Sequence, residues 1–455
     1  MNNKNITIAK RIATYVAQVG GRAYYVGGCV RDQILGNNNK DIDIEVHGIS
    51  PEQLEKILAN IGEMLYMGKA FGIYRLRHYD FDISLPRAEN SSENQKADVD
   101  PYIGLRKAAQ RRDFTINTMM QDVLTNEIID FFGGKEDLKR RVITQVSEST
   151  FSTDPLRVFR AAQFAARFNF EIDIKTQEAA SVADVTQVAG ERIMGELEKA
   201  LMKSEKPSVF FEAIRKMGQL SVWFPELEAL IDVPQNPSHH PEGDVWVHTM
   251  QVLDITAKLK EKATYPLWLM LSSICHDYGK PLVTEEKNGV IHAYEHEGKG
   301  IQPTESFLCR ITKDIKLTRY VLNMVELHMK PNAMVANNSR EKSFMKLFDR
   351  SVCPEDLLLL AKADHLGRCS ESSSVIALLN NYEYTEQILS KMLTLYHDRM
   401  AQPYVMGHDL LQVGVESGPL MGEALQYAHK LRLNGVSKDD QLKHTLGWLR
   451  NKKNK

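Results

Sequence analysis

The sequence predicts an α+β multidomain protein, with a head of sheet and helices over residues 1–150 and all-α regions at 151–235, 236–370 and 371–455. Three observations carry this. In the first 150 residues short strand candidates alternate with helices, as in Gly72-Ile73-Tyr74-Arg75-Leu76 and Tyr79-Asp80-Phe81-Asp82-Ile83-Ser84-Leu85. Beyond them the apolar spacing turns helical, with Leu156, Phe159, Gln163 and Ala166 on one stripe and Ile193, Leu197 and Leu201 on another. Asn236 to His240, bearing Pro237, then reads as a linker before long helical segments.

At 455 residues the chain can bury several cores. A formal net charge of -2 gives no overall electrostatic footprint for nucleic acid, so any grip on RNA must come from local basic patches. Cys29, Cys275, Cys309, Cys353 and Cys369 are scattered and lack metal-ligand spacing, as expected of reduced thiols in a cytoplasmic protein. No signal-like apolar core and no run of membrane-spanning length is present, so no membrane partner is expected.

In the head, Tyr24-Tyr25-Val26 reads as a strand ending in Gly27-Gly28, and Val30 to Leu35 as the helix that follows. Two glycines let backbone N–H groups approach an anion, and Arg31 would sit near it. Asp41 and Asp43 lie two apart on a second strand, so both carboxylates point to one face and can share Mg2+ ions. Two such ions can activate a 3'-hydroxyl and stabilise leaving pyrophosphate, which is nucleotidyl transfer. Asp82 is either a third carboxylate of this site or a structural, solvated residue. The polar stretch Glu89 to Gln95 reads as a mobile loop.

Taken whole, residues 27–43 form the pattern GGxVRDxxLGxxxKDxD, which resembles the signature of class II tRNA CCA-adding enzymes and bacterial poly(A) polymerases. Arg111-Arg112-Asp113-Phe114-Thr115-Ile116-Asn117 is similar to a second signature of that family. The resemblance implies a polymerase-β-like nucleotidyltransferase head, with Gly28, Arg31 and Arg112 holding the nucleotide triphosphate and Arg111 a weaker candidate. Guanidinium donors suit this because they bind phosphate oxygens bidentately.

Asp154-Pro155-Leu156-Arg157-Val158-Phe159-Arg160 resembles the family's nucleobase-reading motif, in which side chains replace a nucleic-acid template. Proline at the first helical position makes Asp154 an N-cap, and Arg157 and Arg160 follow at three-residue steps. Cytosine and adenine each present an amine donor beside a ring-nitrogen acceptor, which a carboxylate beside a guanidinium satisfies. Uracil and guanine present the opposite order, and each unpaired group costs about 1–3 kcal/mol. One departure stands out: the family's acidic residue before this Asp is Thr153 here. Glu191 to Leu197 resembles a helix supporting the neck, and Gly133-Gly134 is a turn or a hinge before it.

After the linker, His248, then His276-Asp277 within Cys275-His276-Asp277-Tyr278-Gly279-Lys280, then Asp364 resemble the HD metal-dependent phosphohydrolases. Imidazoles and carboxylates from separate helices can hold a divalent transition metal. His296 and His328 are further ligands, phosphate contacts or packed histidines. His240-Pro241-Glu242-Gly243-Asp244 is similar to CCA-adding enzymes with a fused HD domain. The glycine-punctuated tail, including Gly407 to Leu411 and Gly414 to Gly422, is either a tRNA-backbone contact or a set of ordinary helix connections.

Taken together, the resemblance implies addition of C and A to tRNA 3' ends from CTP and ATP with Mg2+, plus HD phosphohydrolase activity. Poly(A) polymerase, a CC- or A-adding enzyme, and an HD phosphohydrolase with an RNA-binding head are the alternatives, alongside a non-catalytic RNA-binding protein.

Overall fold

The computed structural model describes residues 3–37, 42–68, 72–79, 81–87, 99–368 and 375–453. Asp41, Asp80, the Glu89–Gln95 stretch and Cys369 lie outside the described residues.

The head is built on a seven-stranded sheet: β1 (Arg22–Val26), β2 (Ile42–His47), β3 (Met64–Gly68), β4 (Ile73–Leu76), β5 (Phe81–Ser84), β6 (Met120–Asp122) and β7 (Ile128–Ile129). Its order is β3-β4-β5-β2-β1-β6-β7. Neighbouring strands of this sheet are antiparallel except β2 with β5, which run parallel and place Asp43 opposite Asp82. Alternation decides the faces of β2: Ile42, Ile44 and Val46 are buried, so Asp43 and Glu45 share the other face. β1 pairs Tyr25 with Ile44, which brings the turn after Val26 beside the start of β2.

The expected neck helix runs over Leu156–Phe168, buries Val158, Phe159 and Phe164, and ends at Asn169 with φ 53°. The chain folds into two compact units: residues 1–200 with 209–219, and residues 201–208 with 220–455. The neck up to residue 219 therefore shares a unit with the head, and the HD region shares one with the tail.

Two small ladders reach into the regions expected to be all-α, the first joining the end of the head to the neck. Val142–Ile143 pairs in parallel with Glu171–Ile172. Glu285–Lys287 and Val290–His292 form a hairpin whose turn residues, Asn288 and Gly289, have φ 55° and 76°. Asn-Gly supplies the two positive φ values that such a tight turn requires, which overrides the helical surroundings. Elsewhere the second unit is helical, with its core on Val245–Leu259, Pro266–Cys275, Ile315–Leu327 and Pro354–Leu366. Among the described residues no helix is long and apolar enough to cross a membrane.

Candidate functional sites in the two units

In the first unit the two head signatures meet. Gly27 has φ 66°, and a Cβ there would stand 3.0 Å from Arg112 Nη1, so glycine lets the second signature close on the turn of the first. Arg112 also reaches Asn117 O and Glu45 Oε2, each at 3.3 Å. Glu45 in turn meets His47 Nε2 at 2.8 Å. Burial opposes charging of Glu45, but the His47 hydrogen bond and the Arg112 guanidinium outweigh it and hold the carboxyl below its usual range. Asp43 is exposed on the same face, while Asp82 in the next strand accepts a 2.7 Å hydrogen bond from Arg75 Nε. The result is an open carboxylate face bordered by a held guanidinium, suited to a divalent cation and a polyphosphate.

Arg31 is placed differently from expectation. It is 3% exposed, donates to Asp32 Oδ1 and to Asn117 Oδ1, and lies over the Phe164 and Phe168 rings. Burial against those rings turns its charge inward, so it fastens the turn and its helix to the neck. Gly28, by contrast, opens the helix Gly28–Ile34 directly after the turn.

Arg160 is committed to a buried partner. Its Nε and Nη2 stand 2.7 and 2.5 Å from Asp113 Oδ2, and Nη1 is 3.5 Å from Glu196. Asp113 Oδ1 accepts from Phe114 N and from Asn117 Nδ2, both at 2.8 Å. Burial would raise the Asp113 pKa, yet Arg160 and these hydrogen bonds keep it depressed. The helix begins one residue later than expected, with Pro155 rather than Asp154 at the N-cap, and Asp154 accepts from Leu156 N at 3.2 Å and from Arg192 Nη2 at 2.9 Å. Arg157 donates to the carbonyls of Thr150 and Arg111. Thr153 Oγ1 donates to that same Thr150 carbonyl at 2.7 Å. Arg192 and Glu196, in the helix read as purely supporting, thus touch two of the three expected base-reading residues.

In the second unit, His248, His276, Asp277 and Asp364 converge from separate segments, all buried. His248 Nε2 is 3.1 Å from Asp364 Oδ1 and 3.8 Å from Asp277 Oδ2. His276 Nε2 is 3.2 Å from Asp277 Oδ2. His296 and His328 join the same cluster, 3.3 and 3.9 Å from Asp277 Oδ1. Among the described residues, two of the groups with the composition and spacing of metal ligands are His248 with His276 and Asp364, and Asp277 with His296 and His328.

Neighbouring groups orient these ligands. His276 Nδ1 donates to Ser273 O and His248 Nδ1 meets Glu242 Oε1, at 2.8 and 2.7 Å, leaving each Nε2 inward. Glu242 also receives His240 Nδ1 at 2.9 Å. Although burial works against its charge, the two histidine hydrogen bonds draw the Glu242 pKa down to about 2. Asp244, in the same segment, caps the His248 helix by accepting from Val247 N at 2.8 Å. Lys280 Nζ bridges Asp277 Oδ2 and Gln235 Oε1, both at 2.7 Å. A Cβ on Gly279 would fall 2.0 Å from His296 O, so only glycine lets the His276-Asp277 and His296 segments pack this closely. The cluster opens into a cavity of about 530 Å3 lined by Asp277, Lys280, His296, Asp364 and Arg368 among others.

Three family descriptions match in chain order: "Poly A polymerase head domain" over residues 23–144, "Probable RNA and SrmB- binding site of polymerase A" over 169–231, and "HD domain" over 245–368. The multifunctional CCA protein of Actinobacillus pleuropneumoniae serotype 5b (strain L20) is 34% identical over 387 residues, spanning 81% of this chain and 89% of that protein. The chain belongs to the multifunctional CCA protein family. It is a nucleotidyltransferase with an HD domain. A second member, from Haemophilus influenzae (strain PittGG), is 37% identical over 370 residues, spanning 76% of this chain and 85% of its own.

Solved structures share the fold. The CCA-adding enzyme of Bacillus stearothermophilus in complex with CTP gives a TM-score of 0.68 at 19% identity, covering 100% of both chains. The Thermotoga maritima CCA-adding enzyme complexed with tRNA gives 0.62 at 20% identity, covering 99% of this chain and 96% of that one.

Glu45, Glu242 and Arg192 were missed by sequence reasoning. Glu45 had a signal, standing two residues after Asp43 on the same strand face. Arg192 and Glu242 lay inside the family-like stretches 191–197 and 240–244, but neither was given a role, because they act on residues brought to them only by folding.

Proposed function

We propose that this chain adds C and A to tRNA 3' ends from CTP and ATP, releasing pyrophosphate, and that its HD domain hydrolyses phosphate esters in the cytoplasm. The carrying observation is the convergence at the head: Asp43 exposed beside Asp82 on the parallel β2–β5 pair, with Arg112 closed on the Gly27 turn. The multifunctional CCA proteins this chain resembles and the CCA-adding enzymes solved with CTP and with tRNA suggest the substrates.

Asp43, with Asp41 of the same signature, would hold Mg2+, which when bound supplies activation of the 3'-hydroxyl and charge stabilisation at the leaving pyrophosphate. Arg112 takes the triphosphate, held ready by Glu45 and the Asn117 carbonyl. Gly28 offers backbone to the phosphates at the turn. Asp154 and Arg157 read the base edge, with Arg192 and two backbone carbonyls fixing their positions. Arg31 and Arg160 position these groups from behind through Asn117 and Asp113. In the HD domain, His248, His276, Asp277 and Asp364 would hold a divalent transition metal, whose chemistry when bound is to lower the pKa of water and polarise a phosphoester.

The test is extension of a tRNA transcript lacking its 3' CCA, with each nucleotide alone and with CTP plus ATP, beside Asp43→Ala. Three residues ending in CCA, lost in the variant, are expected. A long A tail, only C's or a single A would replace the CCA reading by a poly(A) or partial-addition enzyme. No addition at all would leave the HD domain as the source of activity.

A further inference from the structure

We propose that the hairpin of Glu285–Lys287 and Val290–His292, with Tyr294 just beyond it, forms a nucleobase platform on the HD cavity, where Tyr294 and His292 select phosphate esters that carry a base. The inference deepens the phosphohydrolase reading of this domain and rests on it.

Size is the first reason. The cavity encloses about 530 Å3, within the range of pockets that enclose a small organic ligand, and a bare phosphate would leave most of it empty. Asp277 and His296 of the buried cluster line it together with Ile291, His292 and Tyr294 of the hairpin segment. One cavity thus joins the groups suited to a phosphoester to an apolar and aromatic wall.

The wall is already arranged for stacking. The Tyr294 and His292 rings lie 4.9 Å apart, centre to centre, with their planes at 14°, and Tyr294 is 65% exposed. Such a pair can extend its stack by one more flat ring. Every nucleobase has the π-face this needs, whereas an aliphatic ester has nothing to place against it.

Both ends of the hairpin are tied to the cluster. On the near side Lys280 Nζ is 2.7 Å from Asp277 Oδ2, and on the far side His296 Nε2 is 3.3 Å from Asp277 Oδ1. Glu295 takes φ 61°, a left-handed conformation uncommon for a residue other than glycine, and across it exposure falls from 65% at Tyr294 to 5% at His296. Two residues span at most about 7 Å, so the platform is held one short step from the cluster, as a base is held one ribose away from its phosphate. Arg368 supplies the anion contact. It lines the same cavity, its Nη2 is 3.4 Å from Asp364 Oδ2, and its buried Nε has no hydrogen-bond partner among the described residues. A buried donor left without an acceptor is costly, and a phosphoryl oxygen entering the cavity would provide one.

The experiment uses the full chain carrying Asp43→Ala, so that the head transfers no nucleotide, supplied in turn with Mn2+, Co2+, Ni2+ and Zn2+. Phosphate release is followed from the adenosine monophosphates, from a short RNA ending in a 3'-phosphate, and from glycerol 2-phosphate. Adding Tyr294→Ala should raise KM for the adenosine ester by about 5- to 150-fold, the range of one lost base–aromatic stack, and leave kcat/KM for glycerol 2-phosphate unchanged. Tyr294→Phe, which keeps the ring, should restore the adenosine KM. Comparison of mononucleotide with RNA end tells which source presents the base, and Tyr294 dependence of either supports the platform. Equal losses on base-bearing and aliphatic esters, or no loss on either, would overturn the platform and leave the phosphohydrolase reading intact. Photolabelling with 8-azidoadenosine monophosphate, mapped by mass spectrometry, reads the same contact without turnover: label within residues 284–296 that Tyr294→Ala abolishes is expected. That label without hydrolysis of any ester would overturn the phosphohydrolase reading and keep the platform; neither label nor hydrolysis would overturn both.

Discussion

Asp113→Asn is the most informative perturbation of the head, because every acceptor position of this carboxylate is occupied. Oδ2 takes Arg160 Nε and Nη2 at 2.7 and 2.5 Å, and Oδ1 takes Phe114 N and Asn117 Nδ2, each at 2.8 Å. An asparagine can accept on one oxygen only, so its NH2 group must face donors and Arg160 loses its anion. Removing one partner of a dry ion pair costs about 3–5 kcal/mol. Arg160 keeps a side-chain exposure of 32% and a second carboxylate in Glu196 at 3.5 Å, so the low end applies. The expected loss is about 3 kcal/mol. For a unit of some 200 residues that lowers its melting transition by about 6–12 °C.

Calorimetry of the wild type, Asp113→Asn, Arg160→Met and the double variant closes a cycle whose coupling should exceed about 1.5 kcal/mol. The Asp113 pKa is depressed on folding, so its contribution is complete above the unfolded value near about 3.9 and lost as pH falls through the folded one. The gap between wild type and Asp113→Asn should therefore hold from neutral pH to about 5 and shrink below about 4. A melting change under about 2 °C, or additive single variants, would refute the claim that this pair fastens the second signature to the neck.

Glu45→Gln should raise KM for CTP and ATP by on the order of tenfold with little change in kcat, since one charge-assisted hydrogen bond to Arg112 weakens. Steady-state kinetics at fixed tRNA checks it, and an unchanged KM would argue against the positioning role. Arg192→Met should leave stability within about 1 kcal/mol, its pair with Asp154 being largely solvated, yet increase incorporation of UTP or GTP by on the order of tenfold. Sequencing of extended tRNA ends measures that ratio, and unaltered selectivity would sink it. Glu242→Gln should weaken metal retention by the HD domain about 10–100-fold, read by competition with a chelating dye, because His248 loses the anion that orients it.

The parts of the fold visible in the sequence were those with local periodicity. β2 shows its alternation directly, and the helix Leu156–Phe168 its apolar stripe. The Glu285–His292 hairpin was missed, although Asn288-Gly289 is a local turn signal, because an expected helical setting outweighed it. For the sites, spacing within one strand put Asp43 on its face and a family resemblance singled out the His276-Asp277 pair, but neither could say which arginines face outward. Arg31 lies inside a signature and is still buried, because its partners Asn117, Phe164 and Phe168 come from 86 or more residues away. Side-chain direction at that range is set by tertiary packing, which residue type and spacing do not encode.

Thr153 stands where an acidic residue was expected beside Asp154, and its hydroxyl is turned to the backbone. An anion there would orient Arg157 by accepting from it; Thr153 instead donates its hydroxyl hydrogen to the Thr150 carbonyl, the acceptor that Arg157 Nη1 also uses. Arg157 Nη2 reaches the Arg111 carbonyl at 3.0 Å. Backbone carbonyls at Thr150 and Arg111 thus help to hold the guanidinium proposed to read the base. A carbonyl attracts an arginine less strongly than a carboxylate does, but it is fixed by its own chain and loses no rotamer freedom on engaging it. If Arg157 reads the base as proposed, its register depends on the short helix Glu148–Ser152 and on the backbone just before Arg112, which would tie nucleobase choice to the residue proposed to hold the triphosphate.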